Sequence, residues 1–355
     1  MAFRRRSKSY PFFSQEFLIQ NHADIVFFLV LFILAGLIFE TTAQTVCIFI
    51  LPQYNITTLS PEGEVSSYHY GWRDCITILF YCFITIILHA VVQEYILDKV
   101  TKRLHLSKSR NTKFAESGQL CMFHLVTSVW TIYILITVSL VDTLCVLSFQ
   151  VKFYYLFQLA YWLHALPELY FQKMRKEEVS RRLKYISLYL LHIMLAYLLN
   201  LTRVGLMLLF LQSLSEMGFH LSRLFYFTDE SHHKLFNVWA VAFIVTRMVT
   251  LILLFLVVGF GLARVESQGL DWETGDFNSL LIRMVVLLIT CLTQSWLLWR
   301  FFCFQLRHWR ESIQEEERAV RKKALVKHPS RAGRKDAGGN YQNGLAKAEK
   351  KMKVP

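Results

Sequence analysis

Charge is scarce in this sequence. Asp, Glu, Lys and Arg make up 18% of 355 residues, where a soluble globular chain carries about a quarter. Acidic groups are the scarcer sign, 26 against 39 basic, while the hydrophobic fraction is 54%. A soluble enzyme is excluded by that balance. No two of the seven cysteines (Cys47, Cys75, Cys82, Cys121, Cys145, Cys291 and Cys303) form a C-x-x-C pair, and most fall in apolar runs, so zinc-ribbon and dithiol redox chemistry are not supported. A cleavable leader is also missing: the first apolar run is too long for a signal h-region and lacks a well-placed A-x-A-like site, so it reads as a retained signal-anchor. The net charge of +13 lies beside apolar segments, which makes anionic lipid heads the nearer partner and argues against nucleic acid.

Long hydrophobic runs are abundant instead. A bilayer core takes about 20 mostly apolar helical residues, and eight stretches qualify: 25–51, 76–97, 120–141, 149–171, 185–201, 204–227, 238–262 and 280–304. The sequence predicts an all-α, polytopic membrane protein with eight transmembrane helices. Basic clusters at Arg4–Lys8, Lys99–Lys113 and Lys173–Lys184 alternate with segments poor in basic residues at 52–75 and 263–279. Because Lys and Arg gather on the cytosolic side, eight spans put both termini and every basic loop in the cytosol.

The organisation divides into residues 1–116, with two N-terminal spans; 117–310, with six more; and 311–355, a basic tail largely unable to bury a core. Asn55-Ile56-Thr57 is a glycosylation sequon in the first non-cytosolic loop; Asn200-Leu201-Thr202 also matches, but falls in a tight turn and reads as coincidence. Lys351 and Lys353 have the K-x-K-x-x spacing of a cytosolic retrieval signal, with chance in a Lys-rich tail as the alternative. Cys303, at an interface, is either a palmitoylation site or an inert thiol.

Ionisable groups within the spans carry the most information, since each costs about 2.5 to 3.5 kcal/mol at mid-bilayer and must face protein, water or a polar head. Lys152, Arg223, Arg283 and Arg300 lie near span ends and are expected to snorkel. Glu40, Glu216 and Arg247 are deeper. His164 and Glu168, four apart on one helix face beside Pro167, suit an interhelical hydrogen-bond cluster, because two ligands do not make a zinc site. The segment His89–Glu94 forms another polar helix end. The densest set crosses the fifth and sixth runs: His192, Asn200, Arg203, Gln212, Glu216 and His220. Glu216, His220 and Arg223 share one stripe, which implies a wet or lipid-head-filled cavity, with bundle packing as the competing reading. Glu216 and Arg247 lie at a common depth on adjacent helices and are expected to pair directly. No cofactor and no metal are implied.

A resemblance then emerges. The stretch 191–227, LHIMLAYLLNLTRVGLMLLFLQSLSEMGFHLSRLFYF, looks like the core of the TRAM, Lag1 and CLN8 (TLC) domain. The strings NHADI at Asn21, HAVVQEYILDK at His89, ESGQL at Glu116, QLAYWLHALPELYFQK at Gln158, GFGLAR at Gly259 and QLRHWRE at Gln305 resemble the translocating chain-associated membrane protein (TRAM) family, with the opening MAFRRRSKSY leaning towards its second paralogue. The 142–148 connection looks shorter than the family pattern. The resemblance implies a six-helix TLC bundle over Ser117 to Arg310, residence in the endoplasmic reticulum membrane beside the protein-conducting channel, and nascent polypeptides, signal sequences and membrane phospholipids as partners. Ceramide synthases share the superfamily. Of their signature, Asn200, Arg203 and Gly205 match, Tyr197 fits the aromatic position and Glu216 stands for the final acid, but Tyr185 and Ile186 occupy the paired-histidine positions and Gln212 and Ser213 the later His-Asp. A non-enzymatic role follows, with lipid transport or scrambling and acyl transfer as alternatives.

Overall fold

The computed structural model describes residues 14–60, 63–140, 147–171, 176–229, 234–264, 269–271 and 276–327. The opening decapeptide, most of the 142–148 connection, Lys351 and Lys353 lie outside them. The described chain is all-α apart from two short antiparallel hairpins, Asn55–Ser60 with Gly63–Tyr68 and Leu270–Asp271 with Asp276–Phe277. Its helices are α1 Gln15–Ala35, α2 Glu40–Ile50, α3 Asp74–Val91, α4 Asp98–Leu104, α5 Lys108–Leu140, α6 Phe149–Phe171, α7 Lys176–Leu198, α8 Thr202–Thr228, α9 Lys234–Leu254 and α10 Leu280–Lys327. A π-helical turn, Val92–Leu97, joins α3 to α4, and another, Phe255–Gly261, prolongs α9.

Among the described residues, five helical stretches are long and apolar enough to cross a membrane: Asp74–Leu104, Arg110–Thr137, Thr202–Thr228, Lys234–Arg264 and Leu280–Gln314. The chain is thus a polytopic membrane protein. α6 falls short on composition for a physical reason. It packs on α3 and α7 and forms the centre of the bundle, with Tyr154, Tyr155, Leu156 and Ala160 wholly buried. A helix surrounded by protein is free to use aromatic and polar side chains that a lipid-facing helix avoids. Around it α5 packs on α8, and α8 on α7 and α9; α1 and α2 lie on α3.

The first apolar run is not one continuous helix. It is broken at 36–39 into α1 and α2. Gly36 is a weak helix former, and a Cβ there would come within 2.7 Å of Val46 Cγ2, so the break lets α2 fold back closely. Thr42 Oγ1 donates to the freed Gly36 carbonyl at 2.6 Å. Glu40, expected deep in a continuous helix, instead occupies the exposed first turn of α2, where the helix dipole favours a negative charge. By contrast the fifth and sixth runs are separate helices as expected: Asn200 takes a left-handed φ of 54° between α7 and α8, a conformation Asn tolerates well. Immediately after this turn, Gly205 lets α8 approach α6, since a Cβ would lie 2.3 Å from Tyr155 Oη.

Two cations expected at helix ends in water are buried. Lys152 is fully enclosed and pairs with Asp74, and Arg283 is 6% exposed. Lys152 cannot snorkel because the Asn55–Tyr68 hairpin region closes over it: its ammonium donates to the carbonyls of Gln53 at 2.7 Å and His69 at 2.5 Å. Contacts divide the chain into two units, Met1–Leu298 and Trp299–Pro355. The second is described to Lys327 as the C-terminal stretch of α10, with Trp309 exposed.

Candidate functional site

A cavity of about 120 Å³ opens among α7, α8, α9 and α10. Leu188, Leu195, Leu208, Leu254, Val258 and Val286 give it apolar walls, and the polar groups converge from Tyr185, Tyr189, His192, Gln212, Arg247 and Gln294. Arg247 is 1% exposed. Its Nη1 donates to the side-chain oxygen of Gln212 and, at 3.1 Å, to that of Gln294. Phe243 lies 4.8 Å beneath the guanidinium, a stacking that stabilises a desolvated cation. Nε and Nη2 have no hydrogen-bond partner.

Glu216 and Arg247 do not form the expected direct ion pair. The Gln212 amide stands between them: its oxygen accepts from Arg247, and its Nε2 donates to Glu216 at 3.0 Å and to Tyr189 Oη at 2.7 Å. A matching depth does not ensure a matching azimuth, and the amide spans the gap. Tyr185 Oη donates to Tyr189 Oη at 3.4 Å, and Tyr189 stacks on Trp162 at 3.9 Å, so the network is anchored to α6.

The structure distributes the nine sequence-derived candidates over several places. His192, Gln212 and Arg247 line the cavity, and Glu216 joins through Gln212. His220 is buried 4.0 Å from Glu216 and stacks on His124 with ring centroids 6.2 Å apart. Asn200 forms the α7–α8 turn and borders a second small pocket with Asn278 and Arg283, while Arg203 is exposed. His164 and Glu168 belong to another cluster, completed by His89 from α3: His89 Nε2 lies 3.3 Å from Glu168 Oε1, and His164 Nε2 lies 3.6 Å from Glu168 Oε2. Asn55 is exposed at the start of the first hairpin.

Sequence reasoning missed Tyr185, Tyr189 and Gln294 as cavity residues. Tyr185 was visible only as a departure from a histidine signature, Tyr189 was not singled out, and Gln294 was one polar residue in a long apolar run. The partner of Lys152 was hidden too, because Asp74 looks like an ordinary residue at a helix start.

The bundle and its polar cavity define an all-α polytopic membrane protein of the TLC type: the TLC-domain model, TRAM_LAG1_CLN8, matches residues 113–303. The chain is similar over its whole length to "Translocating chain-associated membrane protein 2" of Homo sapiens and of Mus musculus, each 56% identical over 371 aligned positions that cover 100% of both sequences. It belongs to the translocating chain-associated membrane protein family. The aligned length exceeds the chain's 355 residues, so these relatives carry residues that this chain lacks.

Proposed function

We propose that the protein is a non-enzymatic accessory of the endoplasmic reticulum translocation channel that helps nascent secretory and membrane segments enter the lipid phase. The name of the relatives supports the association with translocating chains. The observation that carries the mechanism is Arg247: a cation inside a membrane bundle, in an apolar-walled cavity, with two donors still unsatisfied. Such a group attracts the phosphate or carboxylate of a lipid head, or a polar side chain of a passing segment. A head drawn into the bundle would thin the bilayer locally and lower the cost of weakly hydrophobic or charged segments.

The same reading takes both termini as cytosolic, eight spans, two helices before the TLC bundle of 117–310, a basic cytosolic tail of 311–355, and retention aided by Lys351 and Lys353. Acyl transfer is disfavoured because a general base near the thioester must titrate. Ile186 is a buried aliphatic residue, and Tyr185 donates to Tyr189. The experiment is site-specific photocrosslinking from Leu208, which lines the cavity on α8, in microsomes carrying stalled nascent chains. Adducts to nascent chains or channel subunits are expected. Adducts to lipid alone would favour a lipid transporter or scramblase instead.

A further inference from the structure

We infer that His89, His164 and Glu168 form a binding site for a divalent metal ion of the zinc type. Two imidazoles and a carboxylate come from two packed helices, α3 and α6, and their ligand atoms all lie within 4.8 Å of one another. The separations of 3.3 and 3.6 Å are long for simple hydrogen bonds. A good N–H···O bond is about 2.7–3.2 Å long, so both contacts are stretched for hydrogen bonds. Ligand atoms on a tetrahedral ion with bonds of about 2.0–2.1 Å sit roughly 3.3–3.4 Å apart; the His89–Glu168 separation matches this, the His164–Glu168 separation is slightly longer, and the three groups, all within 4.8 Å, would draw together on an ion.

The tautomer of His164 points the same way. Its Nδ1 lies 2.6 Å from the Tyr161 carbonyl, an acceptor, so Nδ1 carries a proton, and in the neutral imidazole Nε2 then presents its lone pair towards Glu168. This is the outer-shell bond that metal-binding histidines usually make. His164 is 96% buried by its 4% exposure, and Nε2 has no hydrogen-bond partner. A deprotonated ring nitrogen buried against a carboxylate oxygen sets two lone pairs face to face, and a cation between them removes that conflict. His89 and Glu168 are each 29% exposed, leaving a path for the ion and a fourth position for water. Two nitrogens and one oxygen suit zinc or a neighbouring first-row ion better than calcium or magnesium, which prefer all-oxygen shells. The ion would staple α3, outside the matched 113–303 region, to α6 inside it.

The site stands apart from the Arg247 cavity and does not depend on the proposed role in translocation. Its test uses the full chain purified in detergent without a polyhistidine tag, stripped with a chelator, verified as folded by circular dichroism, and titrated with zinc and then with cobalt. One equivalent of zinc should be retained through gel filtration, and cobalt should give the visible bands of a four-coordinate ion. Zinc should raise the melting temperature of the wild type. Glu168→Gln and His164→Asn should weaken binding on the order of tenfold or more and abolish the thermal shift. Should those variants misfold, the wild-type titration still decides. Failure of folded, stripped wild type to retain stoichiometric zinc, or unchanged binding in folded His89→Asn/His164→Asn protein, would overturn the assignment.

Discussion

Lys152 Nζ lies 2.9 Å from Asp74 Oδ1, with the two side chains 0% and 3% exposed. The other carboxylate oxygen accepts from Tyr197 Oη at 2.8 Å and from the Gly71 amide at 3.0 Å. Removing one member of such a pair strands a buried charge, a loss of about 3 to 5 kcal/mol. Asp74→Ala should therefore be strongly destabilising. Lys152→Met should cost a similar amount, because Asp74 retains two donors just as Lys152 retains two carbonyl acceptors in Asp74→Ala. Exchanging the residues should not rescue stability: an acid at 152 would face the carbonyls of Gln53 and His69, which can only accept. Thermal unfolding in detergent measures all three, and full rescue by exchange would show that the pair acts through charge alone.

Close approach at Gly205 gives a second prediction. An added Cβ would meet Tyr155 Oη at 2.3 Å and Ala196 Cβ at 2.6 Å, so Gly205→Ala should destabilise by about 1 to 3 kcal/mol through overpacking. Tyr155→Phe removes the nearer atom but also the bond that Tyr155 Oη donates to Thr202 O at 2.8 Å. The double variant should recover only part of the loss, because Ala196 stays in the way. Wild-type stability in Gly205→Ala alone would contradict the packing between α6 and α8.

Orientation is tested in intact microsomes. Tags at both ends should be digested by added protease if the termini are cytosolic, and a protected C-terminal tag would defeat the eight-span arrangement. Asn55 sits exposed on a hairpin strand. An endoglycosidase-sensitive mobility shift, lost in Asn55→Gln, should therefore report the opposite side of the membrane for that loop.

The helices were largely legible because hydrophobic length is a local property. The run at 149–171 coincides with α6, and the break between the fifth and sixth runs was foreseen because only eight spans keep both termini and every basic loop in the cytosol. The break at Gly36 was not, since Glu40 was read as a deep charge within one continuous span and the interruption depends on Val46 packing ten residues later. Chemistry was legible one helix at a time. His164 and Glu168 announced a shared face, but His89 reaches them from 75 positions away. Depth likewise placed Glu216 and Arg247 at one level without revealing that an amide would stand between them. Snorkelling assumed that water lies beyond a helix end, which fails for Lys152 where the first hairpin region lies there.

That amide makes the last prediction. Gln212 offers its oxygen to Arg247 and its nitrogen to Glu216 and Tyr189, so it couples a cation and an acid that do not touch. Gln212→Leu is close in size but removes both links, and the cost of leaving buried polar groups unsatisfied, about 1 to 3 kcal/mol each and more when charged, should fall on both neighbours. Its loss should thus approach that of Arg247→Leu. Gln294→Leu, which removes one of two acceptors from Arg247, should cost less. Exchanging Glu216 and Arg247 should retain part of the stability, because an amide rotated by half a turn presents its oxygen to the new arginine and its nitrogen to the new glutamate. The same exchange in the Gln212→Leu background should gain nothing. Steady-state abundance and thermal unfolding read these effects as a double-mutant cycle. Equal rescue with and without Gln212 would mean that the charges act on each other directly and that the bridge is incidental.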